Sequence, residues 1–210
     1  MWGFFPLYFR LLERSGAFEI IAHRVVWSFA FCAILLTIEK GWHRLAALAH
    51  DRRSLWGLVL AGHLVLINWT LYVWSVNAGH TLDAAMGYFI NPLVSALLGV
   101  LVLRERLSPA QWMAFGIGIV AVVVLMVGHS STPLISLGLA MSFGLYGLVK
   151  KVLGVAVKPA VGLIVETLAT TPLALVYIGW GVARGKSTFT GSYSLLLVSA
   201  GTVSYTHLTL

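Results

Sequence analysis

The chain has 210 residues, of which 59% are hydrophobic and only 10% charged, with a mean hydropathy of +0.91 and a formal net charge of +7. A soluble domain carries about a quarter charged residues, so this chain cannot cover a water-facing surface, which excludes an ordinary soluble enzyme or binding domain. The basic excess sits mostly in short gaps between apolar runs, which argues against a nucleic-acid partner, and a single cysteine, Cys32, excludes an internal disulfide.

The apolar runs recur at about 20 residues, the length of a bilayer-crossing helix, where a buried strand needs about 4–8. The fold class is therefore an all-α polytopic membrane protein. Residues 1–9 read as the second half of a spanning helix, truncated before Met1 and carrying Pro6 as a kink; no basic leader marks a cleavable signal peptide. Residues 17–38 form the second span, with Glu19, His23 and Arg24 near its start. Residues 39–54 hold Lys40, Arg44, Arg52 and Arg53, and the spacing of Trp42, Leu45, Leu48 and Ala49 predicts a short amphipathic helix lying at the interface. The third span covers 55–76, and Asn77-Ala78-Gly79-His80 has turn chemistry.

The fourth span, 81–103, organises the rest. Its 23 residues extend about 34 Å, yet its middle carries Asn91-Pro92. Every fourth residue gives Asp83, Gly87, Asn91, Ser95 and Gly99, a small and polar stripe facing protein or a water-filled path. Met86, Ile90, Leu93, Val94 and Leu97 form the opposite face. Pro92 removes a backbone donor and frees a carbonyl near Tyr88, which makes it a hinge candidate. Pro109 starts the fifth span, 109–127. The sixth covers 133–149 and ends at Lys150-Lys151, the seventh covers 159–180, and an eighth begins near Ser192 without room to finish.

Basic residues set the orientation. With the 39–54 loop inside, alternation places Lys40, Arg44, Arg52, Arg53, Arg104, Arg106, Lys150, Lys151 and Lys158 inside, against Arg10, Arg14, Arg184 and Lys186 outside. The first helix then runs inside to outside.

Ionisable groups within a span are costly and face the bundle interior or water, so they are functional candidates. Arg24 suits a substrate carboxylate or phosphate; the alternatives are an arginine that snorkels to the outer interface or pairs with Glu19. Glu166, followed by Thr167, Thr170, Thr171 and Pro172, is either a proton-accepting carboxylate or a structural partner for Arg24. Glu19 and His23 share a face, but no third ligand has convincing spacing, and no metal site is expected. On the third span His63, Thr70 and Asn77 share one face, Asn68 and Tyr72 another; one of the two meets the Asn91 stripe, and both remain open. Tyr88 either lines a cavity or packs. Ala110, Ala114 and Gly118, Ala140 and Gly144, and Gly87, Ser95 and Gly99 have the small-residue spacing of close helix approach.

Trp2-Gly3…Pro6…Tyr8-Phe9, His23-Arg24-Val25-Val26-Trp27-Ser28, Asn68-Trp69, Gly87-Tyr88-Phe89-Ile90-Asn91-Pro92-Leu93 and Gly144-Leu145-Tyr146-Gly147-Leu148-Val149-Lys150-Lys151 with Glu166-Thr167 resemble the RarD-type members of the EamA family in the drug/metabolite transporter superfamily. The resemblance covers nearly the whole chain up to Val203. It implies a multi-pass carrier of the bacterial inner (plasma) membrane, with ten helices in two five-helix repeats related by inversion, here incomplete at about seven to eight helices. Residues 1–127 would be the first repeat and 133–203 a partial second, and residues 204–210 match neither the family pattern nor a span and are expected to be a non-native tail. The implied function is secondary transport of a small metabolite or drug-like solute, with proton coupling, along a path lined by Arg24, Asn91, Glu166, Tyr88, Asn68, Tyr72 and His63 and hinged at Pro92. No nucleotide-binding motif is present, and neither a cofactor nor enzymatic activity is expected. Membrane lipid is the expected surrounding, and the oligomeric state is open. The alternatives are an intramembrane enzyme built on Glu19 and His23, or a membrane binding protein that does not transport.

Overall fold

The computed structural model describes residues 16–128, 133–154 and 159–185, together with 194, 197 and 198. The first expected span, most of the eighth and the 204–210 tail lie outside the described residues. Within them the chain is helical: α1 (Ala17–Ile38), α2 (Trp42–His50), α3 (Arg52–Asn77), α4 (Thr81–Leu103), α5 (Pro109–Gly128), α6 (Pro133–Leu153) and α7 (Pro159–Ala183). All but α2 are long and apolar enough to cross a membrane.

Local chemistry moves some boundaries from the predicted ones. Helix α3 starts at Arg52 rather than at 55 because Asp51 caps it. The Asp51 carboxylate accepts from the N–H groups of Arg53 (3.1 Å) and Ser54 (3.3 Å), and from the Ser54 hydroxyl at 2.6 Å. Two consecutive arginines had the look of a loop, but the cap carries the helix through them. Helix α6 continues to Leu153, so Lys150 and Lys151 lie in its last turn. Helix α4 ends where Arg104 turns left-handed (φ 55°) and the Glu105 N–H reaches back to the Gly99 carbonyl at 3.2 Å.

Two helix pairs make the bundle. Helix α4 packs on α6, α1 packs on α7, and α3 lies between them, touching both α6 and α7. Apolar burial does not hold helices together in lipid, so close approach matters more. A Cβ on Gly62 of α3 would stand 2.6 Å from the Glu166 carbonyl oxygen of α7. Likewise a Cβ on Gly87 would stand 2.8 Å from Leu139 Cβ, and one on Gly144 2.8 Å from Val94 Cγ1. Ile20, Ile21, Val25, Val73, Val76 and Ala174 form one apolar core among α1, α3 and α7, with Leu197 added to it. Cys32, Leu36, Leu58, Ile164 and Val165 form a second, nearer the other end. Leu45 and Leu48 of α2 and Leu153 of α6 pack against this second core. The amphipathic α2 therefore turns its leucines onto the end of the bundle.

The polar stripe on α4 is interrupted. Asp83, Gly87 and Gly99 are buried, Asn91 is half-buried, and Pro92 and Ser95 are exposed. The contact line with α6 passes from Gly87 to Val94 and Leu98, which meet Gly144. The row of every fourth residue is inclined to the helix axis, so a crossing partner leaves that row and bypasses Asn91. Of the small residues on α5, Ala110 and Ala114 are exposed, while a Cβ on Gly118 would meet Leu93 at 2.7 Å.

Candidate functional site

Arg24 is 8% exposed, and its guanidinium carbon lies 4.0 Å from the centroid of the Trp69 ring. A cation over an indole face is attracted by the ring quadrupole, and more strongly where water is excluded. Three residues after Trp69, Tyr72 meets Tyr88 of α4 edge to face, with ring centroids 5.6 Å apart. Both tyrosines lie within electrostatic reach of Arg24. Arg24 of α1, Trp69 and Tyr72 of α3 and Tyr88 of α4 thus form one cationic and aromatic cluster.

The two faces of α3 are now distinguished. Asn68, 1% exposed, donates through Nδ2 to the Leu139 carbonyl at 2.9 Å and to Ser142 Oγ at 3.0 Å, both on α6. The Asn68–Tyr72 face is therefore the one that meets α4 and α6. His63 donates through Nδ1 to the Val59 carbonyl of its own helix at 2.7 Å, and the Thr70 hydroxyl donates to Leu66 at 2.8 Å. Thr70 borders an apolar cavity of about 660 Å³ whose walls include Phe18, Ile21, Leu66, Trp74 and Tyr177.

Glu166 belongs to a second cluster. Its side chain is 2% exposed; Lys150 Nζ is 2.6 Å from Oε1, and the Tyr146 hydroxyl donates to Oε2 at 3.4 Å. The expectation that Glu166 serves as a structural partner for Arg24 is corrected: its ion-pair partner is Lys150. Both partners, Tyr146 and Lys150, come from the C-terminal half of α6 and are four residues apart. The hydroxyls of Thr167, Thr170 and Thr171 bond to carbonyls of their own helix at 2.8, 3.1 and 2.7 Å. A void of only about 10 Å³ is bordered by Trp69 of the first cluster and Glu166 of the second, together with Val25, Gly62, Thr167 and Thr170.

Of the predicted path residues, Arg24, Tyr72 and Tyr88 come together, with Asn68 one turn along α3. Glu166 is not among them, and it shares the lining of the small void with Trp69. Asn91 is half-buried, its Oδ1 accepting from Ser95 Oγ at 3.4 Å, and Pro92 is exposed within a continuous α4. His63 is turned toward its own backbone. Sequence reasoning missed Trp69, Lys150 and Tyr146 as site residues. Tyr146 and Lys150 are four apart on α6 and Glu166 follows on the next helix, a spacing that was open to inspection. The stacking of Arg24 on Trp69 left no such signal. No group of three metal-ligating side chains occurs among the described residues.

A model of the EamA-like transporter family matches residues 1–127. A protein named RarD from Streptomyces exfoliatus is 46% identical over 207 residues, covering 97% of this chain and 65% of that protein. An uncharacterized transporter of Vibrio cholerae is 41% identical over 207 residues, covering 97% of this chain and 68% of its own length. A protein named RarD from Salmonella typhimurium is 41% identical over 208 residues, with coverages of 97% and 70%. The chain therefore spans about two thirds of the length of these relatives. No solved structure matches it.

Proposed function

The chain belongs to the EamA-like transporter family, on its RarD-type branch, and from that premise we propose that it acts as a secondary carrier of a small solute across the bacterial inner membrane. The observation that carries the proposal is the burial of Arg24 (8% exposed) and Glu166 (2% exposed) inside spanning helices. Charged groups at such depth are expensive and mark solute or proton pathways.

In this reading the path opens between the two clusters, where Trp69 and Glu166 border the same small void. Arg24, held over Trp69, receives an anionic group of the solute, and Tyr72, Tyr88 and Asn68 line the approach. Glu166 exchanges a proton and couples movement of the solute to the proton gradient. Asn91 borders the path at the rim, His63 takes a packing role, and Pro92 lets the two halves of α4 tilt. Residues 1–127 form the first repeat and 133–203 part of an inverted second one. The end of α1 that holds Arg24 faces outside, an orientation supported by the excess of basic residues in the loops assigned to the inside.

Proteoliposomes containing the full chain and loaded with the pH dye pyranine test this under an imposed pH gradient, with small amphiphilic and anionic solutes supplied outside. Solute-dependent proton movement is expected, at least tenfold slower in Arg24→Ala and Glu166→Gln. Unchanged flux in both variants overturns the site assignment.

A further inference from the structure

Contacts between acidic and basic side chains among the described residues differ in what they join. His80–Asp83 is local to the start of α4. Lys151–Glu105, at 2.6 Å, ties the end of α6 to the turn after α4, within one packed pair. Lys150–Glu166, also at 2.6 Å, crosses from the α4–α6 pair to the α1–α7 pair. Adjacent residues on a helix point about 100° apart, so the consecutive lysines reach opposite neighbours. The backbones of α6 and α7 make little contact, because α3 stands between them. At this end the two long side chains bridge the gap.

The pair is also asymmetric. The Glu166 side chain is 2% exposed and that of Lys150 33% exposed. An anion arriving at this end meets the lysine, while the carboxylate is shielded behind it. We infer that Lys150 is a ligand-operated latch: a carboxylate-bearing solute takes the ammonium from Glu166 and releases the α4–α6 pair from the α1–α7 pair. The carboxylate left behind keeps the Tyr146 hydroxyl. A buried charge parted from its counter-ion is costly, which draws Lys150 back when the anion departs. The latch rests on the carrier reading above and adds to it a second contact for the solute's anionic group, Lys150, whose engagement releases the helices.

The chain contains its own reporter. Cys32, the single cysteine, is 3% exposed in the apolar core that Leu153 of α6 helps to cover. Moving α6 away takes Leu153 off the edge of that core and loosens its packing. The experiment follows N-ethylmaleimide labelling of Cys32 in the full chain in liposomes, with benzoate as the anion and chloride at equal ionic strength as control. The unliganded chain is expected to label slowly and to label at least fivefold faster at saturating benzoate. Lys150→Met and Glu166→Gln are expected to label fast without benzoate, and benzoate should add nothing in Lys150→Met. Lys150→Arg and Lys151→Met should keep both the slow rate and the benzoate response.

The exchanged pair, Lys150→Glu with Glu166→Lys, should label slowly again, which separates loss of the latch from misfolding. Absence of a benzoate response in the unaltered chain, its persistence in Lys150→Met, or fast labelling of the exchanged pair overturns the proposal. Labelling reads helix separation without any transport. A chain that labels as expected but moves no solute overturns the carrier reading and leaves the latch; flux without the labelling response overturns the latch alone.

Discussion

The amide of Asn68 on α3 donates to the backbone carbonyl of Leu139 on α6 at 2.9 Å, across 71 residues of sequence. It also donates to Ser142 Oγ, so one buried side chain fastens the central helix to one of the two pairs beside it. Hydrogen bonds between membrane helices are worth about 0.6–2 kcal/mol each. Asn68→Leu is therefore expected to destabilise the chain by about 1–2 kcal/mol, measured from the unfolding midpoint in mixed detergent micelles. An unchanged midpoint would show that the bond contributes nothing.

Gly62 permits the approach of α3 to α7. In Gly62→Ala the new Cβ stands 2.6 Å from a backbone oxygen, which cannot swing aside like a side chain. The helices must separate, at a cost of about 1–3 kcal/mol. Gly116→Ala on α5, where a Cβ meets nothing within 4 Å, is expected to be neutral or stabilising by up to about 1 kcal/mol. Equal effects at the two positions would refute the argument from helix approach.

Trp69 supports the Arg24 guanidinium. A desolvated cation–π contact of this kind is worth about 2 kcal/mol, or roughly thirtyfold in an equilibrium. Trp69→Leu is expected to weaken solute binding by ten- to thirtyfold, and Trp69→Phe to recover most of the loss, in equilibrium binding to the purified chain. Equal losses in Leu and Phe would assign the indole to shape rather than to support of the cation.

Asp51 gives a pH dependence outside the spans. The Ser54 hydroxyl, then the Ser54 and Arg53 N–H groups, hold its carboxyl below the usual aspartate range. The lowered value sets the sign: the cap contributes above the unfolded-state pKa and is lost as pH falls through the lowered folded-state value. Amide exchange at Arg53 and Ser54 should stay slow near neutral pH, beyond the intrinsic pH effect, and speed up only on strong acidification. Asp51→Ala should show the fast exchange already near neutrality, and Asp51→Asn should show it at neither pH.

The spans were legible because their apolar length is fixed by the bilayer, and α1 and α4 fall on their predicted limits. Asp51 was readable as a cap but stood beside two arginines that suggested a loop. The candidate site was legible by cost: Arg24 and Glu166 stand out as charges where charges are expensive. Their partners were less so. Lys150 counts toward the orientation bias, a role that does not prevent a long side chain from reaching a buried carboxylate. The interruption at Asn91 followed from a crossing geometry between helices that periodicity along one helix does not encode.

The central position of α3 also bears on the order of events during synthesis. At about 5–20 residues per second, the Asn68 amide waits about 4–14 s for Leu139 to be made, since 71 residues separate them. Gly62 waits longer still for the Glu166 backbone it admits. The helix that joins the two pairs thus enters the membrane before either pair is complete. Its amide and its notch at Gly62 are therefore already made when the α6 and α7 backbones that they meet emerge.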